Sequence, residues 1–150
     1  MKRRITNFKP LFSLFIIISL VSCISRRNLS YAEQVEYAEK KLSFLAPHIV
    51  NKDFNGGENI QYQILNVQYD NSDDLLLFKF RIDFNGQWTG YNYWAEGASA
   101  YLISDNKTEY IITNVDPALT LATGFQVTIE HAAVDALNNA LKSYVDQQTK

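Results

Sequence analysis

The side chains able to do covalent, acid–base or metal chemistry are few in this chain, and most of them stand alone. Cys23 is the single cysteine among 150 residues, and His48 and His131 are the two histidines. Two isolated imidazoles on different segments, with no thiol to join them, do not make a zinc site, and His131 fits the exposed first turn of a helix. Asn51-Lys52-Asp53-Phe54-Asn55-Gly56 copies the first half of a calcium loop. Its twelfth position is Tyr62, where a bidentate glutamate is required. Asp70, Asp73 and Asp74 crowd one turn without the glycine and glutamate that would complete a loop. Both clusters read as solvated turns, because Asp and Asn bond to their own backbone there. Glu96 is the one carboxylate in an aromatic strand. It could be a buried acid, but it lacks the second group that general acid–base catalysis needs. No nucleophile elbow, phosphate-cradling glycine loop or His-Glu-x-x-His helix occurs. The expectation is a protein that is not an enzyme and that holds no metal and no cofactor.

Cys23 stands apart because of what precedes it. Lys2, Arg3, Arg4 and Lys9 form a basic leader, and Leu11 to Leu20 is an apolar run broken only by Ser13 and Ser19. That is the layout of a secretory signal, and the run is too short to span a bilayer comfortably. Leu20-Val21-Ser22-Cys23 resembles the lipobox of bacterial lipoproteins. The resemblance implies that residues 1–22 are a signal peptide removed before Cys23. The cysteine sulfur would be diacylated, the new amino terminus acylated, and the membrane lipid would be the protein's first partner. It also favours the outer membrane, facing the periplasm, since Ile24 is not the aspartate that retains some lipoproteins at the inner membrane.

On that reading 128 residues remain, enough for one domain with a real core. The leader carries four of the 14 Lys and Arg and none of the 16 Asp and Glu, so the mature part has a net charge of −6. Such a surface repels phosphate backbones, which excludes nucleic acid as a partner. With Cys23 acylated, no thiol is left for disulfides or cysteine catalysis. Stability must come from burial, and nine Tyr, nine Phe (three of them in the leader) and two Trp supply large apolar surfaces.

The elements that must position these surfaces follow in order. Residues 23–29 are polar enough to be a tether of roughly 25 Å when extended. Arg26 and Arg27 either meet anionic headgroups or form part of a solvated linker. Ser30 and Glu33 have the spacing of a capping box. Val35, Ala38, Leu42 and Leu45 recur at helical spacing, which places a helix over 31–46, ended by Pro47. Asn51 to Asn59 reads as a loop around Gly56-Gly57. A strand over 60–69 changes phase near Ile64, by a bulge or by burial on both faces. Residues 75–84 alternate cleanly, with Leu76, Phe78, Phe80, Ile82 and Phe84 opposite Lys79, Arg81 and Asp83. Asn85-Gly86 signals a two-residue hairpin turn, followed by a strand from Trp88 to Ile103 with bulges or bends at Gly90 and Gly97. After a turn at 104–107, residues 108–115 complete a four-strand meander. Pro117 to Phe125 is a short helix or a covering loop. A helix over about 129–147 carries Ile129, Ala133, Leu137, Leu141, Tyr144 and Val145 on one stripe. The fold class is α+β: an N-terminal helix, a curled four-stranded antiparallel sheet, and a long amphipathic C-terminal helix packed on it. The domain spans 31–150.

This order of elements resembles the YceB-like periplasmic lipoproteins, relatives of the tubular lipid-binding fold. The similarity lies in the helix at 31–46, Leu76–Phe84, the strand pair around Ala98–Val115 and the segment Ala136 to Tyr144. It implies an apolar groove between a curled sheet and a long helix, although family members continue past the last helix with further strands.

Two non-enzymatic functions follow. One is a lipid-anchored binder of a hydrophobic ligand such as an acyl chain, with Phe78, Phe80, Ile82, Trp94, Leu137, Leu141 and Tyr144 lining the groove. The other is an accessory lipoprotein that docks an envelope assembly or secretion complex through Trp88, Tyr91 and Tyr93. A tightly filled interface between helix and sheet favours docking, and an open apolar channel favours lipid.

Overall fold

A computed structural model describes residues 27–124 and 136–150. Helix α1 spans Tyr31–Asp53. Its start is the expected capping box: Ser30 Oγ accepts the Glu33 N–H at 3.3 Å, and Glu33 Oε2 accepts the Ser30 N–H at 2.7 Å. That bonding holds the Glu33 carboxyl below the usual carboxylate range.

The end of α1 differs from the expectation of a stop at residue 46, because Pro47 lies inside the helix. An interior proline removes one backbone donor and crowds the preceding turn, at a cost of about 3 kcal/mol. Continuing the helix buries Ile49 and Val50 completely and brings Phe54 against Phe84, ring centroids 5.4 Å apart. Each such side chain gains about 1.5–3 kcal/mol on burial, so three of them outweigh the proline. The half calcium loop is consequently the last turn of α1 and its cap. Asn51 to Asp53 are helical, Asn55 and Gly56 have positive φ, and the Gly56 N–H donates to the Val50 carbonyl.

Four antiparallel strands follow in spatial order, β1 (Gly57–Asp70), β2 (Leu75–Gly86), β3 (Asn92–Leu102) and β4 (Lys107–Val115). The phase change in β1 is a bulge between Ile64 and Asn66, and a second one lies between Glu58 and Gln61, where Asn59 has a positive φ. Gly97 marks a bulge in the pairing of β3 with β4. Gly90, by contrast, belongs to the connection between β2 and β3 rather than to a strand, with φ +69.

Asn85-Gly86 does not form a two-residue turn either. Pairing continues through Phe84↔Tyr93 and Asn85↔Asn92, and residues 87–91 make the connection. A turn at 85–86 would place Gln87 opposite Phe84 and drive a polar amide into the core. The observed register puts the Tyr93 ring there instead, and the Gly86 backbone runs so close to it that a Cβ would meet Tyr93 Cε2 at 2.7 Å.

Helix α2 (Pro117–Thr123) is capped by Asp116, whose carboxylate accepts the Ala118 N–H, and it ends at Gly124 in the left-handed region. Helix α3 is described over Ala136–Gln148; the expected start of this helix at 129–135, with Ile129, His131 and Ala133, lies outside the described residues.

The expected α+β meander with a C-terminal helix on the sheet is thus the fold. The sheet is covered on both faces. Leu76, Phe78, Phe80, Ile82, Phe84, Tyr93 and Ala95 pack under α1, against Ala38, Leu42, Ala46, Ile49 and Val50. On the opposite face, Leu75, Leu77, Ala98 and Ala100 pack under Leu137, Leu141, Tyr144 and Val145 of α3. The small side chains of Ala98 and Ala100 let α3 come close to the sheet.

Candidate docking surface

The two halves of the expected ligand groove lie on opposite sides of the sheet. Phe78, Phe80 and Ile82 are fully buried beneath α1. Leu137, Leu141 and Tyr144 are buried on the other face, where the Tyr144 hydroxyl donates to Asn66 Oδ1 at 2.8 Å. Burial pushes the Tyr144 hydroxyl up to about 12. Strict alternation along β2 causes this separation: even-numbered residues face α1, and Leu75 and Leu77 face α3. A sheet and a helix can share a groove only if their apolar stripes face each other, so the set Phe78–Phe80–Ile82 with Leu137–Leu141–Tyr144 is corrected to two separate cores.

Trp94 lies with neither group. It stands across from Asp83, and the Arg81 guanidinium sits over its ring at 5.0 Å. Arg81 donates to both carboxylate oxygens of Asp83 at 3.1 Å and reaches Glu96 Oε1 at 3.5 Å. Glu96 is therefore a half-exposed member of an ion-pair network and not a buried acid. Worth at most about 1 kcal/mol in such surroundings, this network fixes the Trp94 ring more than it stabilises the fold.

The three expected partner residues separate in another way. Tyr93 is 4% exposed, belongs to the α1-side core, and donates its hydroxyl to Thr89 Oγ1 at 3.0 Å. It supports the connection from the core side instead of standing on it. Trp88 and Tyr91 stand on the connection itself, 85% and 70% exposed. The loop beneath them is held from several sides. The Gly86 N–H donates to the Tyr91 carbonyl, the Gly90 N–H to the Gly86 carbonyl, the Gln87 N–H to the Gly56 carbonyl, and the Tyr91 N–H to Thr89 Oγ1. Two large rings are presented to solvent on a backbone tied to α1's cap and to the core by Tyr93.

Their place in the molecule is set by β1. At one end of that strand Gly57 pairs with Gly86, next to the connection; at the other, the Tyr69 hydroxyl donates to the Arg27 carbonyl where the chain enters the domain. Twelve strand steps separate those ends by about 40 Å. Trp88 and Tyr91 therefore occupy the pole of the domain opposite the entry of residues 27–30. Residues 84–95 carry no charge, in a domain that is otherwise acidic. Exposed Trp and Tyr among Gln, Asn and Thr have the composition of an interface hot spot with a polar rim.

Leu121, 89% exposed on α2, was not signalled by the sequence. It sits at the same pole, since the Asp116 N–H, just ahead of α2, donates to the Trp94 carbonyl. The run 117–125 has no apolar period, and only the cap at Asp116 with the burial of Leu119 determines which side chains turn outward.

Elsewhere His48 packs edge-on against the Tyr110 ring, centroids 6.3 Å apart. Asp53 Oδ2 accepts the Tyr110 hydroxyl at 2.9 Å, and burial together with that carboxylate raises the Tyr110 pKa. Among the described residues no group of three or more His, Cys, Asp or Glu side chains is placed to hold a metal ion, and no helix is long and apolar enough to cross a membrane. Cys23 lies outside the described residues. The chain matches no family model and no curated protein.

Proposed function

We propose that this chain is a lipid-anchored, non-enzymatic lipoprotein of the bacterial envelope that docks another envelope protein through Trp88 and Tyr91. The observation that carries this reading is the position of the two exposed rings, on a supported loop about 40 Å along β1 from where the tether would enter. A domain held at the membrane by Cys23 would present that loop away from its own bilayer, toward a partner. The large faces of the sheet, which would otherwise be available to an acyl chain, are filled by side chains from α1 and α3. That filling favours docking over the ligand-binding alternative.

The test is photocrosslinking in cells from residue 88 or 91 of the full-length chain. One discrete protein adduct, absent when the crosslinker is moved to the exposed Glu39 on α1, is the expected result. Adducts to lipid alone, or none, would defeat the docking reading, and recovery of bound lipid by native mass spectrometry would restore the ligand-binding one.

A further inference from the structure

The two edges of the sheet are protected very differently. β4 is nine residues long and carries Lys107 and Glu109, charges of the kind that keep edge strands from pairing with another chain. β1 is fourteen residues long, and its only charged residues are Glu58 and Asp70, one near each end. From Asn59 to Tyr69 it has no charge and no proline. Among the described residues no strand lies outside it. Its outer backbone N–H and C=O groups form an open row. Two bulges bend the strand, but neither brings a charge with it.

The side chains along this edge also sort by face. Ile60, Ile64, Val67 and Tyr69 face the α1 side, with Tyr62 beside them, 41% exposed. On the other face, Gln61, Gln63, Asn66 and Gln68 stand opposite Asp83, Arg81, Lys79 and Leu77. Every one of these amides carries both a donor and an acceptor, so a row of them is complementary to itself. A charged residue near a two-fold axis would meet its own copy, and among the described residues β1 offers the longest uncharged stretch of edge.

We infer that β1 pairs antiparallel with β1 of a second copy of the chain, centred near Gln63, joining two sheets into one of eight strands. Pairing about an axis perpendicular to the sheet keeps both α1 helices on one face. It sets Gln63 opposite Gln63 and Tyr62 opposite Ile64. The aromatic connection at 87–91 stays free in both copies, so the pairing is independent of docking through Trp88.

Two measurements test this on the chain as processed and acylated at Cys23, and so rest on the lipoprotein reading. Gln63→Cys in cells should give a disulfide-linked dimer on a non-reducing gel, while Asn114→Cys on β4 should not. In detergent, sedimentation should report a dimer that Gln63→Lys weakens by about fivefold to tenfold, because two ammonium groups replace two paired amides. The circular dichroism of the lysine variant should stay unchanged, since Gln63 is exposed. A chain that stays monomeric at high concentration overturns the proposal. So does a dimer indifferent to Gln63→Lys, or a monomer that captures an extended peptide along the same edge.

Discussion

Phe84 and Tyr93 face each other across β2 and β3, with ring centroids 6.2 Å apart, and this pair decides where the hairpin ends. Both rings lie in the core under α1, so the five residues between Gly86 and Asn92 are left to form a connection instead of a strand. The exposure of Trp88 and Tyr91 follows from the burial of Tyr93. Packing one aromatic residue here displays two others to solvent.

Trp88→Ala and Tyr91→Ala should therefore leave the fold intact. Exposed positions without other roles change stability by about 0.5 kcal/mol or less, whereas a Trp or Tyr hot spot costs about 2 kcal/mol or more of binding. Urea denaturation should superimpose on that of the wild type, while the adduct formed from a crosslinker at the neighbouring exposed position Gln87 is lost. An adduct that survives the double substitution would move the contact elsewhere.

Phe80→Ala should behave in the opposite way. Its ring is fully buried, and truncation of such a ring costs about 3–5 kcal/mol. The expected readout is a large fall in denaturation midpoint. Were Phe80 a ligand contact on an open wall, stability would hold and only ligand retention would drop.

Gly97→Ala should destabilise the sheet. A Cβ at that position would run into the Ile111 carbonyl oxygen and meet Phe80 Cζ at 2.6 Å, and overpacking of this kind costs about 1–3 kcal/mol. Gly90→Ala meets nothing within 4 Å, so its cost is confined to the positive φ. Comparing the two midpoints separates crowding from backbone strain.

Pro47→Ala should stabilise the protein. Alanine restores the N–H that bonds back to Ser43 and removes the ring from the preceding turn, recovering part of the roughly 3 kcal/mol that an interior proline costs. Some of that gain is offset because the unfolded chain becomes freer. Unchanged or lower stability would mean that Pro47 itself is needed to aim Ile49 and Val50 at the sheet.

The tyrosines give a pH signature. Burial raises the hydroxyls of Tyr69 and Tyr144 to about 12 from the usual 10, with the Asp74 carboxylate adding to the effect at Tyr69. A group whose folded pKa lies above its unfolded one contributes stability that is fully present below pH 10 and is lost as pH rises through about 12. The phenolate absorbance contributed by Tyr69 and Tyr144 should thus rise late, with loss of near-ultraviolet dichroism. Early, independent titration of all tyrosines would contradict the packing of α3 on the sheet.

Several features were legible in the residues alone. The Ser30/Glu33 box, the alternation from Leu76 to Phe84, the bulge after Ile64 and the apolar stripe Leu137–Leu141–Tyr144–Val145 are all local signals, because caps and periodicities depend on neighbours within a few residues. The local turn bond at Asp70, whose carboxylate accepts the Ser72 N–H at 2.9 Å, was visible for the same reason.

What tertiary structure alone decided is where those stripes went. Periodicity shows that Phe80 and Leu141 must each be buried, but it does not say against what, and the sheet ended up between them. Pro47 and Asn85-Gly86 carry local signals for a helix end and a tight turn, and both were overruled by distant burial, of Ile49, Val50 and Phe54 in one case and of Tyr93 in the other. A local preference is worth about 1–3 kcal/mol, and a few large side chains removed from water outweigh it. Only the folded chain shows which aromatic residues remain outside.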